Sequence, residues 1–191
     1  MTFRILAFAG SARRDSLNKK LIRVAAAMAE SAGASVTSID FNDFPLPLYH
    51  GDLEAAEGVP PLARQLRDLI ASHQGLLIAS PEYNASIPAP LKNALDWVSR
   101  PVDGKNGLAA YQGKVAALMS ASPGAYGGLR GLVHLRQVLQ ALGVLVLSEQ
   151  VAVGRANEQF DAAGNLGDPR IQASLTGLVQ RLVTVGGALS R

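Results

Sequence analysis

The stretch that decides the fold is Ile5-Leu6-Ala7-Phe8-Ala9-Gly10-Ser11-Ala12-Arg13-Arg14-Asp15-Ser16-Leu17-Asn18. An apolar run ends at a glycine, continues as a polar loop and enters a helical pattern with Leu17, Leu21, Val24, Ala25 and Met28 on one face. Phe3 to Ala9, broken only by Arg4, reads as a strand covered on both faces, as strands of parallel sheets are. The same events recur at Leu76-Leu77-Ile78-Ala79, which runs into a loop and helix from Ser80 to Trp97. Both loops therefore begin at the carboxyl end of a buried strand, the edge at which open parallel sheets bind ligands.

Working outward, strand and helix patterns alternate. Ala34 to Asp40 reads as a second strand after the stop signal of Gly33, and Pro60-Pro61 opens a helix reaching Ser72. Gln74 to Ser80 is the third strand, Pro88 to Ser99 a helix, Lys114 to Ala121 the fourth strand and Gly128 to Leu142 a long helix. A fifth strand starts at Val144 and continues toward Val153. Gly154 to Gly167 is a turn-rich surface excursion, and Asp168 to Leu189 is the last helix. This alternation predicts a three-layer α/β fold of flavodoxin-like order, a five-stranded parallel sheet 2-1-3-4-5 with helices on both faces, built as one domain over residues 1–191. In that order the switch point lies between strands 1 and 3, where the two loops emerge.

Composition removes several functions. The chain has 191 residues, 48% of them apolar, and no cysteine, which excludes disulfides, thiolate catalysis and thiolate metal sites. Its three histidines, His50, His73 and His134, have no metal-ligand spacing. No apolar run approaches a membrane span, and the N-terminal one is too short for a signal peptide, so the expected compartment is the cytoplasm. The net charge of +3 comes without a long basic run or accompanying aromatics, which argues against nucleic acid and for a phosphorylated small molecule.

Three loops carry the chemistry. In the first, Ser11 and Ser16 offer hydroxyls, Asn18 an amide and Arg13 a charge, and the helix starting at Leu17 points free N–H groups at the same spot, which suits a phosphate. Neither a Walker loop nor GxGxxG is present. An ordinary cap by Ser16 alone would leave Ser11, Arg13 and Asn18 unexplained. In the second, Pro81, Pro88 and Pro90 fix a backbone around Glu82-Tyr83-Asn84 whose N–H groups could meet the edge of a flat ring. The third, Ser120 to Gly128, brings Ser122, Gly124 and Tyr126 beside them. There three glycines allow close approach of a ligand, and Tyr126 could stack on it.

The segments GSARRDSLN and PEYNASIPAPLKNALDW, with LRGLVHLRQVLQALG downstream, resemble the NADPH-dependent FMN reductase family, which includes chromate and quinone reductases and azoreductases. The resemblance implies non-covalently bound FMN, its phosphate held by Ser11, Arg13, Ser16, Leu17 and Asn18. Its ring would lie along Pro81, Glu82, Tyr83 and Asn84, with Ser122 and Gly124 near the other edge. It further implies NADPH or NADH as co-substrate and hydride transfer through flavin N5 with no catalytic side chain. A small-molecule electron acceptor and a homodimer or homotetramer complete the expectation. Some tetrameric relatives carry a Tyr before the His of His-Leu-Arg-Gln, where this chain has Val133. The competing class is a flavodoxin-like electron carrier; classical flavodoxins are acidic with a Thr-rich phosphate loop, whereas this chain is basic and has no such loop.

Overall fold

The computed structural model describes residues 2–190. Five strands form one parallel sheet of order β2-β1-β3-β4-β5: β1 Arg4–Ala9, β2 Ser35–Ile39, β3 Gly75–Ala79, β4 Val115–Ala121 and β5 Leu145–Val153. Six helices connect them: α1 Leu17–Ser31, α2 Gly51–Glu57, α3 Pro61–Ser72, α4 Ala89–Val98, α5 Leu129–Ala141 and α6 Pro169–Leu189. Among the described residues no helix is long and apolar enough to cross a membrane.

The expected order is the observed one because β1, β3 and β4 are apolar on both faces and can only be central. Alternate residues of these strands feed two cores. Ile5, Ala7, Leu77, Ala79, Ala117 and Met119 pack under α1 and α6, while Leu6, Phe8, Leu76, Ile78, Ala116 and Leu118 pack under α3, α4 and α5. The edge strand β2 has no fully buried residue. On the other edge, a register shift opposite Ala116 and Leu118 lets β5 carry exposed Ser148 and Glu149 and still reach Val153.

The helix α2 was not legible in the sequence, and the reason is physical: none of its residues is buried, so it has no apolar period. It is held instead by its ends. His50 Nδ1 accepts from the Leu53 N–H, and Glu54 binds Arg100 and the Tyr49 hydroxyl. The Pro-broken loop before it is pinned to α4. Asn93 accepts the Tyr49 N–H and donates to the Pro47 carbonyl, to which Trp97 Nε1 also donates. Trp97, 0% exposed, is therefore a core residue.

Gly10 is the point on which the first loop turns. Its φ is not in the left-handed region; what it needs is space. A Cβ there would lie 2.9 Å from Leu91 Cδ2, and Leu91 of α4 is fully buried. Gly10 also donates to Ala79 at 2.9 Å, so the loop leaves the sheet pressed between β3 and α4. Gly10→Ala should lower unfolding free energy by about 1–3 kcal/mol through overpacking. In urea titrations, adding Leu91→Ala should cost less on the Gly10→Ala background than on the wild type, because the truncation makes room for the new methyl. Additive losses would contradict this close contact.

Candidate active site

The first loop carries an anion-binding arrangement. Ser11 and Ser16 are 3% and 5% exposed, and each hydroxyl oxygen accepts one backbone N–H, from Arg13 at 3.3 Å and Asn18 at 3.2 Å. Each O–H proton remains without an acceptor among the described residues. The N–H groups of Ala12, Arg14, Asp15, Ser16 and Leu17 likewise have no partner there. Two buried hydroxyl donors, a row of free amides and the N-terminus of a 15-residue helix with no acidic residue in its first turn form a donor set suited to a phosphate. Arg13 and Arg14 are exposed at its rim.

Asn18 is placed differently from the expectation. It is 2% exposed, and its amide is turned to β4: Nδ2 donates to the Ala121 carbonyl and Oδ1 accepts the Ala121 N–H, both at 2.9 Å. Its side chain is thus committed to the backbone at the start of the third loop. It orients the loop rather than acting as a free donor at the loop's centre.

The second loop is a two-residue turn. Tyr83 and Ser86 exchange both backbone hydrogen bonds at 3.0 Å, and Asn84 and Ala85 between them have φ of 49° and 62°. Asn tolerates this left-handed conformation; for Ala it costs about 1–2 kcal/mol. The strain is held by Pro81 and Pro88, both buried, and by Ser80, whose hydroxyl donates to the Pro81 carbonyl. The N–H groups of Glu82, Asn84 and Ala85 have no partner among the described residues, so this turn offers backbone donors at the sheet edge.

The Glu82 carboxylate does not face those donors. It accepts from Arg130 and, at 3.0 Å, from the Gly131 N–H in the first turn of α5. Burial raises its pKa, but the Arg130 guanidinium and the helix amides outweigh this and hold it below the ordinary glutamate value. In this loop, Ala85's strain and the Arg130 partnership escaped the sequence reading. Residues 82 and 130 are far apart in the chain, and a residue's φ has no signature when the usual Gly is replaced.

The third loop is braced against β5. Ser122 donates its N–H to Val153, Arg155 donates to the Gly124 carbonyl, Ala156 to that of Ser122, and the Ser120 hydroxyl donates to the Gly127 carbonyl. The three glycines expected to admit a ligand divide. A Cβ on Gly127 would lie 2.7 Å from Gly154 N, and one on Gly128 2.9 Å from Ser120 Cβ, so both make room for the chain itself. Gly124 is exposed and faces no backbone closely; the Ser122 hydroxyl accepts its N–H. Tyr83 and Tyr126 stand at the rim, 50% and 70% exposed.

Lys92 pairs with Asp96 within α4 at 2.7 Å, as a structural ion pair. Among the described residues there is no cluster of metal-ligating side chains. The groove between α1 and α6, about 510 Å³, lies off the strand ends and carries none of these donors.

The family described as NADPH-dependent FMN reductase matches residues 3–158. A rice protein named probable NADPH:quinone oxidoreductase 2 is 38% identical over 184 residues, covering 94% of this chain and 86% of that one. An NAD(P)H-dependent FMN reductase of Pseudomonas aeruginosa is 36% identical over 180 residues, covering 94% and 92%. Among solved structures, FerB, a flavoenzyme NAD(P)H:(acceptor) oxidoreductase from Paracoccus denitrificans, superimposes with a TM-score of 0.83 at 31% identity and covers 98% of both chains.

The Asn18 clamp yields a direct test. Asn18→Ala leaves the Ala121 N–H and carbonyl unpaired in a buried setting and should lower stability by about 1–3 kcal/mol, read from urea midpoints. Asn18→Asp accepts the N–H but cannot donate to the carbonyl and should recover no more than part of that loss. A wild-type midpoint for Asn18→Ala would show that the clamp contributes nothing.

Proposed function

The chain belongs to the NADPH-dependent FMN reductase family, an NAD(P)H-dependent oxidoreductase family using FMN, and from that premise we propose how its residues serve the reaction. The observation that carries the reading is the pair of buried hydroxyls, Ser11 and Ser16, each with an uncommitted O–H beside a row of free amides. Ser11, Arg13, Ser16 and Leu17 hold the FMN phosphate, and Asn18 fixes the loop through Ala121. Pro81, Glu82, Tyr83 and Asn84 line the ring through their backbone, and Ser122 and Gly124 approach its other edge. All of these residues lie in one sheet-edge domain.

Bound there, FMN supplies two-electron chemistry: NAD(P)H, a proton and a quinone become NAD(P)+ and the hydroquinone. The protein's part is orientation and charge. The free N–H groups of the second loop would stabilise negative charge on the bound ring without reorganisation. The proline-fixed turn keeps them there. No side chain is assigned a proton-transfer role. Because the rim is open, donor and acceptor would occupy one site in turn, a ping-pong order that would admit quinones, free flavin, azo dyes, chromate and ferric chelates. The compartment proposed for it is the cytoplasm, in keeping with the absence, among the described residues, of a helix able to cross a membrane.

The working unit in this reading is a homodimer, with a tetramer as the alternative assembly. Its support is a face of α5 where Leu129 and Val133 are 42% and 56% exposed. A groove beside it, between α4 and α5, is lined by Ile87, Ala89 and Val138. Light scattering on the 20.0 kDa chain should give twice that mass, and Val133→Glu should lower it; a monomer at micromolar concentration overturns the dimer.

The enzyme reading is tested by a visible spectrum followed by anaerobic NADPH. Flavin absorbance that bleaches, with parallel lines in two-substrate initial-rate plots, is expected. Flavin that does not bleach with either nicotinamide would indicate an electron carrier. Replacing Ser16 and Arg13 together by Ala should weaken FMN binding at least about tenfold, since each charge-assisted bond contributes about 1.5–3 kcal/mol. Undiminished FMN affinity would remove the phosphate assignment.

A further inference from the structure

Arg130 is left unused by the reaction outlined above, yet it is one of the most constrained side chains at the rim. It follows the third loop directly, in the first turn of α5, and its guanidinium is held on two sides. Behind it, Glu82, whose side chain is 9% exposed, accepts from Nε at 2.9 Å and from Nη2 at 2.5 Å. Glu82 is itself fixed by the Gly131 N–H, so the anchor is tied to backbone. Beside it, the Tyr126 ring lies with its centroid 5.5 Å from the guanidinium carbon. Within one protomer the third side is open: 60% of the Arg130 side chain is exposed, and Nη1 has no partner among the described residues.

An arginine whose only duty was to neutralise Glu82 would not need to hold one edge toward solvent beside the exposed Tyr126. Here a planar cation is immobilised before any ligand arrives, so little side-chain entropy is lost when its free edge is engaged. The surrounding charge does not cancel it. Exposed Arg13, Arg14 and Arg155 lie on the neighbouring loops, together with the positive end of α5, against Asp15, Glu158 and the already paired Glu82.

We propose that Arg130, oriented by Glu82 and Tyr126, is a specificity-determining residue that selects flat electron acceptors bearing a ring-conjugated negative charge, of which an ionised hydroxyquinone is the type. Such an anion presents two adjacent oxygens, the deprotonated hydroxyl and the neighbouring carbonyl, which match the two N–H groups of a guanidinium edge. The inference rests on the flavin-reductase reading of the site and adds the charge of its acceptor.

The test compares 2-hydroxy-1,4-naphthoquinone, ionised at neutral pH, with its uncharged 2-methoxy ether on FMN-loaded wild type, Arg130→Gln and Arg130→Lys. Both kcat/KM and equilibrium binding, the latter from perturbation of flavin absorbance without nicotinamide, are measured. The wild type should prefer the hydroxy compound, and Arg130→Gln should reduce that preference about tenfold or more in both readouts. Arg130→Lys, which keeps the charge and loses the fork, should retain part of it. Added salt should erode the preference of the wild type and leave that of Arg130→Gln unchanged. Using the ratio of two acceptors cancels a general loss of activity from disturbing Glu82. An unaltered ratio in Arg130→Gln, or an effect confined to the KM for NADPH, overturns the assignment. Failure of the underlying reading looks different: the wild type would bind no flavin, or would reduce neither quinone.

Discussion

A single buried amide sets the relation between the two halves of the site. Asn18 donates to and accepts from the backbone of Ala121, so the first turn of α1 is locked to the carboxyl end of β4. The first loop runs into α1 and the third loop grows out of β4. The distance between these two loops therefore depends on these two bonds. Asn18 is buried, and leaving either group unpaired there is costly, which is why the geometry is stiff rather than adjustable.

The rest of the rim is built by close approach of chain to chain. Gly10 lets β1 leave the sheet against Leu91; Gly127 seats the third loop on Gly154, and Gly128 and Gly131 bring α5 onto Ser120 and the second loop. With these contacts in place, the O–H protons of Ser11 and Ser16 and several amides of the first two loops are left without acceptors among the described residues. Binding of a phosphorylated ring as proposed would then require little rearrangement, because the donors are already in place. The left-handed Ala85 shows that this order is maintained against local preference, by two prolines and the Tyr83–Ser86 pair.

Charge at the rim is organised in layers. The Glu82 carboxylate is held ionised by Arg130 and by the helix amides despite its burial, and that in turn holds Arg130 in place. In the proposed binding mode the layer that would face the flavin is backbone and neutral hydroxyl, and the outer layer is cationic, which would separate the tuning of the ring from the recognition of what reacts with it.

The amino-acid sequence alone determined the strand order and the edge at which the site forms, because apolar runs without alternation can only be central parallel strands, and loops that follow them must emerge together. It also determined the residue types of the phosphate loop, since Ser11 and Ser16 flank a helix start whose polarity follows from the backbone. Only the tertiary structure decided what each polar side chain does. Asn18 turned to Ala121 across 103 residues, Glu82 turned to Arg130 across 48, and two of three glycines served packing. The α2 helix, without an apolar face, and the loop pinned by Asn93 and Trp97 were equally beyond local reading. The physical reason is common to all of them: hydrogen-bond partners and steric limits are set by residues remote in the chain, whereas periodicity and helix polarity are local properties.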